Sequence, residues 1–435
     1  MSPLLLRLIP SVLLLLLGPI DSVHRAQLPP EAAAWVSLTS DAEGGLVAAG
    51  EAVTFTATVR NSYREPLTAT LAWELTTLAF DPPTLESLQI EVPGWETSTF
   101  ELAVPMEGPG FVEAEVSVMM EGARSAERRR RRVGCAPDGV LFPLTATDDF
   151  DAFWKRTLEE LAAVDPQAEL RAVESSPAPG SQLYELTLRS LEGVRVRGWL
   201  QVPLARGPHP AILRVPGYTQ NMRPIDDADD AIILSFNVRA HGNSTDDVPA
   251  RPIDYWLRGL DDPDAYFYRG AYADCVRAVQ YLCSRDDVDQ ERLAVWGASQ
   301  GGGLAFATAA LDPRIDLCIA DIPWLCHWEG LMELVSAEDR SDVERWLEGR
   351  PGRTVEGALR TLSYFDTMNL AGRIQCRTLM GVGLQDPICP PATSFAAFNR
   401  VEGEREFRID EDRGHGLGGD HTDWVMRRML AEFAR

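Results

Sequence analysis

Lysine is nearly missing from this chain. Lys155 is the only one in 435 residues, so arginine carries almost all of the positive charge. We read that skew as compositional and draw no chemistry from it. Cations are also outnumbered, with 41 Lys and Arg against 65 Asp and Glu and a formal net charge of −24. A surface of that sign repels polyanions, which excludes nucleic acid as the expected partner. Histidine is scarce too, with six in all, so a general base has few candidates.

The seven cysteines (Cys135, Cys275, Cys283, Cys318, Cys326, Cys376 and Cys389) are odd in number, so at least one lacks an intramolecular partner. Their shortest intervals, Cys275 to Cys283 and Cys318 to Cys326, far exceed the spacing of about two to four residues in zinc knuckles. They lie in apolar surroundings and read as buried free thiols. No apolar run reaches the roughly 20 residues of a membrane span. The run Leu8 to Leu17, between Arg7 and Gly18-Pro19, has the length of a secretory signal. Residues 1–26 are therefore expected to be a signal peptide cleaved near Ala26, with an uncleaved anchor as the alternative. The mature chain is then secreted or periplasmic, with no membrane attachment.

What remains is an ordinary globular composition, 45% hydrophobic and 24% charged. At about 100–200 residues per domain the length predicts two or three domains and rules out a small stapled scaffold. From Trp35 to about Met120 the pattern has period two: Val53, Phe55, Ala57 and Val59 alternate with polar residues, as do Leu67 to Leu75. Breaks at Asn61-Ser62, Asp81-Pro82-Pro83 and Pro93-Gly94 separate short strands, which predicts an antiparallel sandwich resembling immunoglobulin-like modules. A spacer or docking role is its default. Arg128 to Arg132 follow, and read as a solvated linker lying against acidic neighbours. We place the sandwich and linker at 27–135 and a second domain at 136–435.

In that second domain the character changes. Phe150, Phe153, Trp154, Leu158 and Leu161 recur at helical spacing behind Asp148-Asp149, a suitable N-cap. Strand-like runs then alternate with helices: Val196 to Val202, Ala211 to Val215, Ala231 to Phe236, a helix Tyr272 to Cys283, strand Leu293 to Trp296, helix Gly301 to Leu311 and strand Leu379 to Val382. That order predicts an α/β domain with a mostly parallel sheet covered by helices on both faces.

The sharpest motif is Gly297-Ala298-Ser299-Gln300-Gly301, set between that strand and helix. Such a serine sits on a tight turn with its hydroxyl exposed, as in a nucleophile elbow. A serine nucleophile needs a base, usually histidine held by a carboxylate. The chain order serine, acid, histidine selects His415 in Arg413-Gly414-His415-Gly416, with His421 as fallback. Asp386 follows the strand Leu379 to Gly383 and is the preferred acid; Asp366 and Asp410 are weaker candidates. Tyr218, Tyr255, Trp256, Trp324 and Trp328 are pocket candidates, of which Tyr218 is the firmest.

From Phe142 to Arg435 the chain resembles the acetyl xylan esterase and cephalosporin C deacetylase family, carbohydrate esterase family seven, an α/β-hydrolase. The matching segments include Asp149 to Trp154, Gly198-Trp199-Leu200, Pro216-Gly217-Tyr218, Tyr268-Arg269-Gly270, Gly297 to Gly303, Thr361 to Asp366 and Val382 to Asp386. The resemblance implies Ser299 as nucleophile, Asp386 as acid, His415 as base and the backbone amides of Tyr218 and Gln300 as oxyanion donors. Two departures stand out: the family's Arg-Gly-Gln is Arg239-Ala240-His241, and its His-Glu is His415-Gly416. Arg239 is still expected to anchor its loop, and His241 is read as a plain loop residue. The resemblance further implies an acetylated saccharide or small acetyl ester as substrate, no metal or organic cofactor, and a helical insertion, Trp328 to Leu362, that shapes the pocket and supports homo-oligomers. Hydrolysis of longer acyl esters or peptides, or an inactive carbohydrate-binding protein on the same fold, are the other readings.

Overall fold

The alternating apolar positions at 35–135 lie on strands whose inner faces meet. In the computed structural model, which describes residues 34–434 apart from 78–82, 227, 253, 335 and 336, this part consists of β1 (Ala34–Ser40), β2 (Leu46–Val47), β3 (Glu51–Asn61), β4 (Leu67–Thr77), β5 (Thr84–Val92), β6 (Thr97–Met106), β7 (Gly110–Met120) and β8 (Glu127–Cys135). The expected signal peptide and its cleavage point lie outside the described residues. The strands form two sheets, in orders β1-β3-β6 and β2-β8-β7-β4-β5. Val53, Phe55, Ala57 and Val59 of one sheet share a core with Leu71, Trp73, Val116 and Val118 of the other.

The arginine run is not a linker. Arg128 to Arg132 lie on β8, antiparallel to β7, with Arg132 opposite Glu113 and Arg130 opposite Glu115. Arg132 Nη2 and Arg130 Nε each lie 2.5 Å from those carboxylates. Cross-strand pairing of opposite charges makes a run of like charges tolerable in a strand. Because every position is charged, no period of two could betray it.

The rest of the chain builds one mixed sheet and its helices. After α1 (Phe150–Ala163) come β9 (Glu169–Ala172), β10 (Ser181–Arg189), β11 (Arg195–Pro203), β12 (His209–Val215), β13 (Ile232–Asn237), α2 (Phe267–Cys283), β14 (Val288–Ala298), α3 (Gln300–Leu311) and β15 (Leu317–Asp321). Then follow α4 (Trp328–Leu334), α5 (Ala337–Glu348), α6 (Val355–Ser363), α7 (Thr367–Leu370), β16 (Arg377–Gly383), α8 (Pro391–Phe398), β17 (Arg405–Asp410) and α9 (Gly419–Phe433). The sheet order is β17-β16-β15-β14-β12-β13-β11-β10-β9. From β13 through β12 and β14 to β17 every pairing is parallel, whereas β9, β10, β11 and β13 pair antiparallel. The parallel strands read as continuous apolar runs because both faces are covered. Asp149 stands at the α1 N-cap without capping it; its Oδ1 instead accepts from the Tyr364 hydroxyl at 2.6 Å. All seven cysteines are free thiols, five of them buried. No helix among the described residues is long and apolar enough to cross a membrane.

The two parts share buried surface. Phe111 of β7 belongs to the core of the α/β part, its ring 5.7 Å from that of Phe395 on α8. Phe111→Ala should therefore destabilise the protein by about 3–5 kcal/mol. Thermal unfolding should show one cooperative transition moving down by several degrees; a melt in which only a minor transition moves would count against a shared core.

Candidate active site

In a parallel sheet the loops beyond the carboxyl ends of neighbouring strands converge, which is where ligands bind in open α/β folds. Tyr218 follows β12, Ser299 follows β14, Asp386 follows β16 and His415 follows β17. These four residues, nearly 200 positions apart in sequence, are thereby brought to one edge.

The turn from β14 to α3 is extremely tight. Ser299 adopts φ +59° and ψ −123°, a strained conformation for a non-glycine residue. It is held by Ser299 N–H donating to Asp321 O at 2.9 Å and by Trp324 N–H donating to Ser299 O at 2.9 Å. The flanking glycines are needed for close approach: a Cβ on Gly297 would lie 2.3 Å from Gly301 O, and one on Gly301 would lie 2.7 Å from Val215 O. Gln300 opens α3, so its N–H has no intrahelical partner.

A continuous hydrogen-bond chain runs from that hydroxyl. Ser299 Oγ lies 3.0 Å from His415 Nε2, and His415 Nδ1 lies 2.8 Å from Asp386 Oδ2. Asp386 is fully buried, and its Oδ1 accepts from the backbone amides of Ile388 at 2.8 Å and Cys389 at 2.9 Å. These bonds fix the carboxylate and leave Oδ2 to the imidazole. The other candidates are occupied elsewhere. His421 is buried with Nε2 2.7 Å from Asp321 Oδ1, and Asp321 Oδ2 also accepts from Trp296 Nε1 at 2.8 Å. Asp366 accepts from the amides of His327, Trp328 and Met368, and so caps two helices. Asp410 lies on β17 and pairs with Arg413 at 3.5 Å.

Arg239 is buried and grips Asp274 through Nε and Nη2, both at 2.9 Å. A Cβ on Gly270 would fall 1.9 Å from its guanidinium, so the close packing of Arg239 at this point requires glycine. His241 is not a plain loop residue. It is 1% exposed, its Nδ1 lies 3.0 Å from Arg239 O, and its Nε2 lies 3.1 Å from Gln300 Nε2. The Gln300 side chain also accepts from Tyr268 OH at 2.7 Å. His241 thus braces the residue after Ser299, and a lone histidine in a loop offers no pattern that could have announced this. At Gly416 a Cβ would meet nothing within 4 Å, so the second departure leaves the loop unhindered.

A cavity of about 1090 Å³ opens over Ser299 and His415. Tyr218, Trp256, Trp324 and Trp328 line it, while Tyr255 lies behind, its ring 5.1 Å from that of Tyr218. The 328–362 insertion supplies much of the wall, including Trp346, which the sequence reading had not singled out. Burial pushes the Tyr218 hydroxyl up in pKa, so it stays neutral; it accepts from Tyr255 N–H at 2.9 Å. Cys389 was also missed. Its Sγ lies within 4.8 Å of ligand atoms of Asp386 and His415, and burial followed by the nearby Asp386 charge pushes its thiol up. It is therefore a neutral neighbour rather than a rival nucleophile. This trio is the one metal-capable cluster among the described residues. Both carboxylate oxygens and both imidazole nitrogens in it already hold hydrogen bonds.

The acetyl xylan esterase (AXE1) family model matches residues 144–431. The chain belongs to the acetyl xylan esterase family. It is 29% identical over 325 residues to acetyl esterase Axe7A of Xylanibacter ruminicola, covering 71% of this chain and 72% of that protein. Among solved structures, it resembles an acetyl xylan esterase from Paenibacillus sp. R4 (34% identity, TM-score 0.63). It also resembles acetyl xylan esterase 1 from Thermoanaerobacterium sp. (29% identity, TM-score 0.64). Each match covers 68% of this chain and 98% of the other. This family member is a carboxylic ester hydrolase with an α/β-hydrolase fold, and its all-β region lies outside the family match.

Burial lowers the His241 pKa to about 4. A histidine held neutral in the fold but free to protonate when unfolded gives an unfolded state that binds more protons between about pH 6.5 and 4, so stability falls as pH drops through that window. By pH 5 the loss is about 2 kcal/mol. In His241→Gln, the family's residue at this place, the gap in melting temperature between pH 7.5 and 5 should narrow; an unchanged gap would assign it to other groups, such as buried His327, also lowered to about 4.

Proposed function

We propose that this protein is a secreted serine esterase that removes O-acetyl groups from acetylated xylo-oligosaccharides or small acetyl esters through an acyl-enzyme. The observation that carries this reading is the unbroken chain Asp386 Oδ2, His415, Ser299 Oγ, with links of 2.8 and 3.0 Å, at the floor of an aromatic cavity. Ser299 Oγ attacks the acetyl carbonyl carbon while His415 Nε2 takes its proton. Asp386 holds the imidazole so that Nε2 faces the serine and stabilises the imidazolium that forms. The backbone N–H groups of Gln300 and Tyr218 receive the developing oxyanion. As the intermediate collapses, the sugar alcohol leaves with the proton from His415. Water, deprotonated by the same nitrogen, then attacks the acyl-serine and releases acetate. Arg239, through Asp274, and His241, through Gln300, keep the surrounding loops in register. Export is supported by the N-terminal run from Leu8 to Leu17.

With p-nitrophenyl acetate, Ser299→Ala should lower kcat by roughly 10⁶-fold while the protein stays folded. Retained activity within about tenfold of the parent, about 1.4 kcal/mol, would overturn the nucleophile assignment. His415→Ala should abolish turnover and His421→Ala should leave most of it; the reverse would move the base.

Acyl size is the finer question. The cavity holds far more than an acetyl group, so any limit must come from the corner beside Ser299 bounded by Tyr218 and Trp324, not from total volume. We expect kcat/KM to fall by about 10–200-fold for acyl groups forced against that packed corner. A series from acetyl to hexanoyl esters reads this directly. A flat or rising series, with each methylene gaining about 0.8 kcal/mol, would place the chain along the tryptophan wall and favour a longer-acyl esterase.

A further inference from the structure

The loops that carry Asp386 and His415 are fastened from outside the α/β domain. Arg132 of β8 is buried. Its Nη1 donates to Asp386 O at 2.8 Å and to Leu384 O at 3.2 Å, and its Nη2 lies 2.5 Å from Glu113 Oε2. Its backbone is held as well: Arg132 N–H donates to Gln385 Oε1 at 2.8 Å and Arg132 O accepts from Gln385 Nε2 at 3.0 Å. The Gln385 carboxamide thus pairs with β8 at Arg132, where the short β2 no longer covers it, much as a neighbouring strand's peptide group would. Gln385 continues into the histidine loop, since its Nε2 donates to Glu411 O at 2.8 Å and its backbone N–H to Arg413 O at 2.8 Å. Arg131 Nη1, one residue back, lies 2.5 Å from Asp412 Oδ1. Gly45, just before β2, comes so close that a Cβ on it would meet Leu384 Cδ2 at 2.3 Å.

We propose that Arg132 and Gln385 are positioning residues, through which the all-β region sets the spacing of the Asp386 and His415 loops that the hydrolytic reaction depends on. The all-β region is then a working part of the active site rather than a spacer or a docking module. The physical case is that Asp386 is reached from both sides. Its side chain is fixed by the Ile388 and Cys389 amides and its own carbonyl by the Arg132 guanidinium. Releasing the carbonyl lets the loop turn and lengthens the Asp386 to His415 bond, and a displacement of about 1 Å in such a geometry can cost roughly 100-fold in rate. Of the two loops only Ile388 and His415 reach the substrate cavity, whose wall is otherwise built by other segments, so the loss is expected in kcat far more than in KM. The proposal rests on the triad reading above.

The test uses the full-length protein with p-nitrophenyl acetate, active sites titrated by a fluorophosphonate and folding followed by circular dichroism. Parent turnover and labelling of Ser299 report on the triad reading alone; if either fails, that reading fails before Arg132 is considered. Given both, Arg132→Met and Gln385→Leu should each lower kcat by roughly 10- to 100-fold with KM within about twofold. Arg132→Lys should recover part of the loss, because one ammonium can serve Asp386 O or Glu113 but cannot reproduce the planar fork. Arg130→Met removes a charge from the same strand that pairs only within the all-β region, with Glu115 and Glu113, and should leave kcat within about twofold. If Arg132→Met does not fold, Gln385→Leu and Arg132→Lys decide. Variants that melt lower but turn over at the parent kcat would overturn the proposal, making the contact simple glue; so would a loss confined to KM, or an equal loss in Arg130→Met.

Discussion

Ser299 occupies a backbone conformation that a serine does not adopt unaided, and the packing around the strand-to-helix turn exists to hold it there. The amide of Ser299 is tied to the end of β15 and its carbonyl to Trp324, while Gly297 and Gly301 let β14, α3 and β12 come within contact distances that any side chain would forbid. Strain of order 1–3 kcal/mol is retained only where the surroundings over-determine it. Here a whole parallel sheet does so. With the serine fixed, the same sheet edge delivers the other groups, because β12, β16 and β17 all end facing it.

The groups that meet Ser299 are less rigidly born. Asp386 and His415 sit on loops, and loops position catalytic groups only when their backbone polar atoms find partners. The Asp386 carbonyl finds Arg132 and its carboxylate finds the Ile388 and Cys389 amides, while the His415 ring is held between Asp386 and the serine. On the opposite flank, Gln300 is braced by His241, Tyr268 and the Pro216 carbonyl. The site is thus one rigid elbow surrounded by loops whose support is borrowed from neighbouring elements, including a region outside the family match.

That difference explains what could be read in advance. Glycines around a serine between an apolar strand and an apolar helix announce a close-packed turn, and the order of serine, acid and histidine along the chain follows from the order of strands. Both are local or topological, so they survive in a linear text. The antiparallel flank β9 to β11 was only partly visible, since β9 is short and exposed and β10 mixes polar residues into its run. The arginines of β8 carry no period at all. His241 matters through Gln300, Cys389 through its closeness to His415 and Trp346 through the cavity it shares with Ser299, and a single sequence does not state who those partners are.

The near-absence of lysine, which composition alone left without meaning, acquires one in the folded chain. Arg132 serves two carbonyls and a carboxylate at once; Arg239 closes a bidentate pair on buried Asp274; Arg377 bridges Glu406 and Glu432. Each of these roles needs a planar fork with several donors and a charge that persists out of water. An ammonium at the same place could satisfy one acceptor well but would leave others orphaned, at about 1–3 kcal/mol for each buried group. A strongly acidic chain that must still join an all-β region to a catalytic sheet through buried charge is therefore served by arginine at its joints, and the joint at Arg132 is the one that touches the chemistry.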